Sequence, residues 1–381
     1  METRVVRDLV AEGVLRIEDG NHGNDRPRPD EFVDSGVAFV RAADMSSGVV
    51  RFQGAGRINE AARARIRKGV GAPGDVILSH KGTVGRVAVA PADSPEFVCS
   101  PQTTFWRSLD PQRLDQRYLA YVLRSAPFQH QLGVLKGQTD MAPYVSLTDQ
   151  RGMRIPLPLL AEQRAIAEVL GALDDKIAAN ERVVATSCGL SASIVRAAAS
   201  VGPERRLSEV LRLNYGKALP ASSRVPGDVP VFGSGGVTGH HDVALVAEPG
   251  VVVGRKGTAG AVHWVDRPHF PIDTTYYVVP LGSLSSEVAF HLLADAGLGA
   301  LNSDSAVPGL NREEAYSQRV QVPEGPDLGR LDIQIKPLFA ARTAKAQESA
   351  LLASTRDALL PLLMSGKLRV KDAEKQISEV L

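Results

Sequence analysis

The pattern of apolar and polar residues divides the chain into short β-rich runs and two long stretches of helical periodicity. Strands are predicted by VAFVRA, DVILSH and RVAVA in the first half, and by VPVFG, VVVGR and TTYYVV in the second. Shorter helical stretches, Asp115–Leu132 and Ser285–Gly297, lie among these runs. The pattern predicts the α+β class, with two mixed α/β domains whose sheets are partly antiparallel.

Each half closes with a long amphipathic stretch. In the first, apolar positions recur at a spacing of 4-3-4-3-4, and Leu190 and Ile194 continue the stripe after a small phase shift. Asn180 lies on this seam, where a buried amide fixes register at a cost in stability. At about 60 Å, a helix of this length exceeds what a small domain covers. We therefore predict two long antiparallel coiled-coil helices, with the alternative that each only completes the core of its own domain.

The second stretch has a similar apolar stripe. It is lined by Ile335, Leu338, Leu351, Leu352, Leu359, Leu362 and Leu363. Pro337 is expected in or just before the first turn, and Gly366 is a plausible stop. The predicted helix and subunit interface comprises Gln163, Ile166, Leu170, Leu173, Ile177, Asn180, Val184, Leu352, Leu359 and Leu363.

The two halves repeat the same landmarks in the same order. GDVILSHKGTVGRVAV (Gly74–Val89) and PGVVVGRKGTAGAVHW (Pro249–Trp264) each carry a strand and a Lys-Gly-Thr-x-Gly turn. SPQTTFW and FPIDTTYYVV follow, then TDMAPYVSL (Thr139–Leu147) and SDSAVPGLN (Ser303–Asn311), then RIPLPLL and RVQVP. This order predicts duplication. The predicted segments are domain one at 1–158, a helix at 159–203, domain two at 204–324 and a second helix at 325–381.

Composition narrows the functional classes. The 381 residues carry 44 Lys and Arg against 43 Asp and Glu. The resulting net charge of +1 does not by itself indicate a polyanionic partner. Cys99 and Cys188 form no CxxC pair, so neither a disulfide framework nor a zinc knuckle is indicated. No apolar run reaches the length of a membrane span, and a cytoplasmic location is expected.

Motifs for catalysis are missing from the sequence. GRKGTAG fails the Walker A pattern and GSGGVTG fails the dinucleotide fingerprint. There is no Asn-Pro-Pro or Asp-Pro-Pro motif, no GxSxG and no HExxH. His240-His241-Asp242 resembles metal ligands, but without a further Cys or His at ligand spacing a solvated turn is the preferred interpretation. For Trp106 and Trp264, core packing is preferred over base stacking. No catalytic residue is predicted.

The repeated turn offers the geometry of a binding site. Gly82 and Gly85 permit positive φ and allow a large ligand to approach the backbone closely. Free backbone N–H groups beside Lys81 are expected to form a phosphate-binding site. Arg86 and Arg255 add a cation to each copy. The alternative is a plain β-hairpin whose glycines only satisfy the turn.

These residues together resemble the specificity subunit of type I restriction-modification systems. PLPLLAEQRAIAEVLGALDDKIAANERV is similar to that family's first conserved helix, and LLMSGKLRV to the end of its second conserved region. DGNHG, SHKGTVGRVA and GRKGTAG are typical of its target-recognition domains. The resemblance spans essentially the whole chain.

The resemblance implies two target-recognition domains, each reading one half of a split, asymmetric site in double-stranded DNA. Two modification methyltransferase subunits dock on the long helices, and restriction subunits complete the complex. S-adenosylmethionine, ATP and Mg²⁺ belong to those partners, with no cofactor or metal held by this chain. The candidate DNA-binding residues are Lys81, Gly82, Thr83, Gly85, Arg86, Gln102, Thr103, Thr104, Lys217, Arg255, Lys256, Gly257, Thr258, Gly260, Thr274 and Thr275.

Charge distinguishes the two predicted domains. Residues 1–158 carry 21 basic and 18 acidic residues, whereas residues 204–324 carry 10 and 13. The second domain is therefore the weaker electrostatic binder. A self-contained nuclease or methyltransferase, a scaffold independent of DNA, and a recognition subunit of a related defence system without restriction activity are the alternatives. The target bases and spacer are not encoded in any readable motif.

Overall fold

A computed structural model describes residues 2–137, 142–301, 309–325 and 327–378. It contains two compact units, residues 1–177 with 351–381 and residues 178–350. The loop sequences TDMAPYVSL and SDSAVPGLN fall partly outside the described residues, so their predicted conformation is not assessed. Across the described part of the chain, no helix is long and apolar enough to cross a membrane.

The first unit combines two sheets with helices from both ends of the chain. Its strands are β1 Thr3–Val5, β2 Leu15–Asp19, β3 Phe32–Val33, β4 Val37–Val40, β5 Met45–Ser46, β6 Val49–Val50, β7 Gly56–Ile58, β8 Val70–Gly71, β9 Val76–Ser79, β10 Val87–Val89, β11 Phe97–Cys99, β12 Thr103–Ser108 and β13 Arg154–Pro156. Its helices are α1 Val6–Ala11, α2 Glu60–Arg65, α3 Gln116–Arg124, α4 Ala126–Lys136, α5 Leu147–Gly152 and the start of α6 Leu160–Ala199.

The larger sheet of this unit has the order β2-β12-β9-β10-β6-β5, and the second has the order β3-β7-β4-β11-β8. Strand β9 is buried along its whole length because β12 and β10 flank it and helix α3 covers it. The core joins Trp106 and Tyr118 to Leu170 and Leu173 of α6. The start of the long helix is therefore part of this unit's core.

The second unit is built from a smaller set of elements. Its strands are β14 Glu204–Arg206, β15 Leu211–Tyr215, β16 Val229–Gly233, β17 Gly236–His241, β18 Gly250–Gly254, β19 Val262–Val265, β20 Phe270–Pro271, β21 Thr275–Pro280 and β22 Arg319–Gln321. Its helices are the end of α6, α7 Leu207–Val210, α8 Ser286–Asp295, α9 Arg312–Ser317 and most of α10 Asp327–Met364. Helix α11, Val370–Ser378, follows in the first unit.

Topology confirms that the two units repeat one design. The order β15-β21-β18-β19 matches β2-β12-β9-β10, and the parallel pair β16-β20 matches β4-β11. In each unit a two-stranded sheet, β1-β13 or β14-β22, joins the beginning of the domain to its end. The α+β prediction with duplicated domains is therefore confirmed, and the four predicted segment boundaries stay a prediction.

The long helices pack against each other in the antiparallel sense. In the first unit, Leu170 and Leu173 of α6 share a core with Leu352 and Leu359 of α10. In the second, Val195 near the end of α6 shares a core with Leu331 and Ile335 near the start of α10. The beginning of each helix thus meets the end of the other, which confirms the predicted pair.

Two details of the predicted helices are wrong. Helix α10 begins at Asp327, so Pro337 lies inside it rather than at its first turn. The seam of α6 continues through the buried Ser187, Ser191 and Val195, whereas Leu190 is 48% exposed. The 4-3-4 spacing continued from Val184 leads to Ser187 and Ser191. Because these two buried residues are polar, the pattern of apolar residues alone does not predict this part of the seam.

Candidate nucleic-acid interface

The first Lys-Gly-Thr turn is a hairpin attached to a second loop. The Gly85 N–H donates to the Ser79 carbonyl at 2.9 Å, which closes the turn between β9 and β10. The Gly82 N–H donates to the Pro143 carbonyl at 2.9 Å, and Lys81 forms a β-bridge with Tyr144. The exposed residues Lys81, Gly82 and Thr83 form the tip.

The second turn reproduces this geometry. The Gly260 N–H donates to the Gly254 carbonyl at 2.8 Å, and Lys256 forms a β-bridge with Gly309. Gly260 has a φ of +79°, and a Cβ there would lie 2.5 Å from the backbone of Leu298. The exposed tip again comprises Lys256, Gly257 and Thr258. The hairpin and the exposed cation are therefore present together in both copies.

The neighbouring arginines are held by local contacts. Arg86 donates from Nη1 to the Ala42 carbonyl at 3.1 Å. Arg255 donates from Nη1 to the Asp273 carbonyl at 2.8 Å, and its guanidinium lies 5.1 Å from the centre of the Tyr215 ring. Both side chains are thus positioned beside the turns by hydrogen bonds to backbone carbonyls.

Three threonines of the predicted interface are buried, and we revise the predicted set accordingly. The Thr103 and Thr275 hydroxyls donate to the carbonyls of Ser100 and Ile272, and Thr104 donates to Gln150 Oε1 at 2.9 Å. All three side chains are fully buried because they begin central strands of their sheets. By contrast Gln102 is exposed and Thr274 half-buried, directly before those strands.

The remaining candidates divide between surface and core. Lys217 is exposed, and its backbone N–H donates to the Pro271 carbonyl at 3.1 Å. Trp106 is fully buried and packs edge-on against Phe128. Trp264 packs against Phe339 of α10 with ring centroids 4.6 Å apart. The preferred core role of both tryptophans is confirmed.

The helix-pair residues occupy two kinds of environment. Ile166, Leu170, Leu173, Leu352, Leu359 and Leu363 are buried, and Ile177 and Val184 are half-buried. Asn180 is 2% exposed, and its Nδ2 has no hydrogen-bond partner within the described structure. The stripe residues Leu351 and Leu362 face outward at 57% and 40% exposure.

Gln163 was predicted at the interface but fixes the start of α6 to its own domain. Its Oε1 accepts from the Asp115 N–H at 3.0 Å, and its Nε2 donates to the carbonyls of Arg113 and Pro158, both at 2.9 Å. The side chain is fully buried. Both amide protons and the amide oxygen are thus engaged by the loop before α3 and the turn before α6.

A charged cluster also joins α3 to both long helices in the first unit. Asp174 accepts from the Tyr121 hydroxyl at 2.7 Å, from Arg124 at 3.1 Å and from Arg356 at 2.7 Å. Burial alone would raise the Asp174 pKa, but Arg124, Tyr121 and Arg356 outweigh it and hold that pKa below its ordinary value. The cluster borders a cleft of about 530 Å³.

The histidine pair adopts a different structure from the predicted turn. His240 and His241 end strand β17, where His241 Nδ1 lies 3.1 Å from Asp242 Oδ1 and accepts from the Val225 N–H. Among the described residues, no group of three or more His, Cys, Asp or Glu side chains is placed to hold a metal ion.

Four further residues beside the turns were missed by sequence reasoning. In the first unit His80 lies beside Asp19, and in the second the guanidinium of Arg312 lies over Tyr215. These residues come together only after folding, since the two partners of the second unit, Tyr215 and Arg312, are 97 positions apart along the chain. No spacing within the sequence indicates these contacts.

The fold and the paired turns define a class of protein: a duplicated α+β recognition module attached to an antiparallel helix pair. Residues 24–185 match the family described as Type I restriction modification DNA specificity domain. The chain is therefore similar to that domain family over these residues, and the predicted resemblance to type I specificity subunits is confirmed.

Two individual proteins show the extent of the likeness. The type I restriction enzyme MjaVIII specificity subunit of Methanocaldococcus jannaschii is 26% identical over 152 residues, which are 39% of this chain and 35% of that protein. The chain thus matches about a third of that relative's length. The S subunit of a type I restriction-modification system from M. genitalium aligns over 95% of both chains with a TM-score of 0.59 and 18% identity. The latter likeness supports the fold alone.

Proposed function

We propose that this chain is the non-catalytic specificity subunit of a type I restriction-modification complex and reads a bipartite, asymmetric site in double-stranded DNA. The observation that carries the proposal is the pair of identical Lys-Gly-Thr tips, exposed at the same position of two repeated domains. Exposed lysines are typical contacts to phosphate. The specificity-domain match at residues 24–185 supports the same function.

Partner subunits supply the chemistry in this proposal. Two modification methyltransferases dock on the helix pair and bring S-adenosylmethionine for adenine methylation, while restriction subunits bring ATP and Mg²⁺. In this proposal the docking surface includes the outward-facing Leu351 and Leu362 on α10. The proposed place of action is the cytoplasm, where the DNA is.

The distribution of charge also supports a complex in which this chain and its partner subunits bind the DNA together. The net charge of the whole chain is +1, and residues 204–324 carry more acidic than basic side chains. Affinity for a polyanion grows with the number of phosphate contacts. A second domain of this charge therefore depends on its partner subunits for a share of the phosphate contacts.

The test is binding of the full-length chain, with the subunits that copurify with it, to duplex DNA at increasing salt. For a specificity subunit, the logarithm of the association constant for duplex DNA falls linearly with the logarithm of the salt concentration. Binding that is absent at low salt would favour the scaffold alternative. Cleavage or methylation by the chain alone, with Mg²⁺ or S-adenosylmethionine, would favour a self-contained enzyme.

A further inference from the structure

The two turns share a backbone but differ in the side chains beneath them. Asp19 ends β2 opposite Thr104, and Tyr215 ends β15 opposite Tyr276. The His80 N–H donates to the Gln102 carbonyl, and the Arg255 N–H donates to the Thr274 carbonyl. Asp19 therefore corresponds to Tyr215, and His80 to Arg255. Equivalent positions carry acidic and imidazole groups in one domain, and an aromatic and a guanidinium group in the other.

In the second domain, two guanidinium groups enclose one exposed ring. Arg255 lies 5.1 Å and Arg312 5.0 Å from the centre of the Tyr215 ring, which packs at 5.1 Å against Tyr276. Tyr215 is 48% exposed, so the group faces solvent beside the Lys256 tip. Stacking on an aromatic face and the bond to the Asp273 carbonyl hold Arg255 in place, which lowers the entropy lost on binding.

The hydrogen-bonding capacity of this group is not exhausted. Arg255 uses Nη1 for the Asp273 carbonyl. Within the described structure, Arg312 Nε is buried without a hydrogen-bond partner, and the Glu313 carboxylate lies 3.7 Å from it, so the guanidinium is not held by a close ion pair. A guanidinium has five N–H donors and no acceptor. The group is therefore rich in fixed donors and suits a ligand that offers a pair of acceptors.

The corresponding group of the first domain has the opposite chemistry. His80 Nδ1 lies 2.9 Å from the Val145 carbonyl, so it carries the proton and leaves Nε2 as an acceptor in the neutral ring. Asp19 Oδ1 lies 4.0 Å from Nε2, and within the described residues neither atom has a hydrogen-bond partner. Burial lowers the His80 pKa against the opposing effects of the Val145 carbonyl and Asp19. Both unpaired atoms are buried, so this group offers no cation to a phosphate.

We propose that in the second domain Arg255 and Arg312, held on Tyr215, recognise a guanine. This inference rests on the proposed function in DNA recognition. Guanine presents O6 and N7 as adjacent acceptors in the major groove, and a guanidinium binds both at once. A phosphate role alone does not explain the contrast, because phosphates are the same in both half-sites, whereas His80 stands where the second domain has Arg255 and Asp19 stands where it has Tyr215.

The test is selection of bound sites from a random duplex DNA library by the full-length chain with its copurifying subunits. The wild type is expected to enrich two blocks, with a guanine in the block read by residues 204–324. Arg255→Lys and Arg312→Lys keep the positive charge but remove the planar guanidinium that donates two parallel hydrogen bonds. They should lower the preference for that guanine by about 5- to 160-fold, corresponding to 1–3 kcal/mol for a bidentate contact.

Two internal controls separate specificity from folding and from affinity. The first block should stay unchanged in both arginine variants, which shows that the chain is folded and bound. Lys256→Ala should lower total binding without altering either block, as expected for a phosphate contact. If the wild type enriches two blocks and both arginine variants retain the guanine, the inference is wrong while the proposed function stands. If the wild type enriches no sequence, both are wrong.

Discussion

The exposed tips of the two turns are the residues on which affinity for DNA depends in this account. Lys81→Glu or Lys256→Glu removes one phosphate contact and adds a repulsive charge. Each variant should weaken binding to all sequences alike and lower the slope of log affinity against log salt by roughly one unit. Lys371→Glu, which changes an exposed lysine of α11, is the matched control. An unchanged slope in both tip variants would show that the turns are structural only.

Asp174 determines a pH dependence of stability at the residue scale. Its folded-state pKa lies below the ordinary value near 3.9, so its contribution to stability is complete above about pH 5 and is lost as the pH falls through the folded pKa. Asp174→Asn should lower the free energy of unfolding at pH 7 by about 1–3 kcal/mol, because Arg124 and Arg356 lose a charged acceptor.

Urea unfolding at pH 7 and at pH 3 measures this effect. The difference between wild type and Asp174→Asn should shrink at the lower pH, because protonation of this carboxyl in the unfolded chain, at its ordinary pKa, reduces the advantage of the charged acceptor in the folded state. Subtracting the two proteins cancels other acidic groups, including Glu31, whose pKa is lowered to about 2 first by its hydrogen bond from Arg65. A difference independent of pH would show that the charge of Asp174 is not the stabilising feature.

At the scale of elements, adjacent leucines on α10 separate core packing from surface exposure. Leu352 is fully buried against α6 and Leu351 is 57% exposed. Leu352→Ala should cost about 2–5 kcal/mol because the removed methyl groups leave a cavity between helices. Leu351→Ala should stay within about 0.5 kcal/mol of the wild type. Equal costs in urea unfolding would contradict the observed rotation of α10 about its axis.

The elements also show what the sequence could and could not predict. Periodicity predicted the helix pair and the Lys-Gly-Thr hairpins, because both depend on local spacing and on glycine at positive φ. It could not separate the buried Thr103, Thr104 and Thr275 from the exposed Gln102, since neighbouring polar residues look alike until the sheets pack. The contact of Arg312 with Tyr215 depends on chain topology, which spacing along the sequence does not encode.

At the scale of the whole molecule, the helix pair is predicted to set the spacer between half-sites. Asp174 pairs with Arg356, and Val195 shares a core with Ile335, so antiparallel pairing places Asn180 opposite Ala350. One heptad inserted at each of these positions keeps both seams in phase and lengthens each helix by about 10 Å. The preferred spacer should grow by roughly one to three base pairs, with reduced affinity because the half-sites also rotate.

Mapping of methylated adenines in a host that carries the insertion variant measures the spacer. Both half-site sequences should stay the same, because the insertion changes no residue beneath the turns. A heptad inserted into α6 alone is the control, since it shifts one seam against the other and should abolish function. An active variant with the original spacer would show that another part of the complex sets the distance.

The central claim is that each of the two similar domains reads one half-site. Exchange of residues 1–158 for the corresponding domain of a relative with a different site, followed by mapping of methylated adenines in the host, tests this claim most directly. The account predicts a two-block motif in which one block changes to that of the relative and the other is preserved. A motif with both blocks altered, or with neither altered, would contradict it.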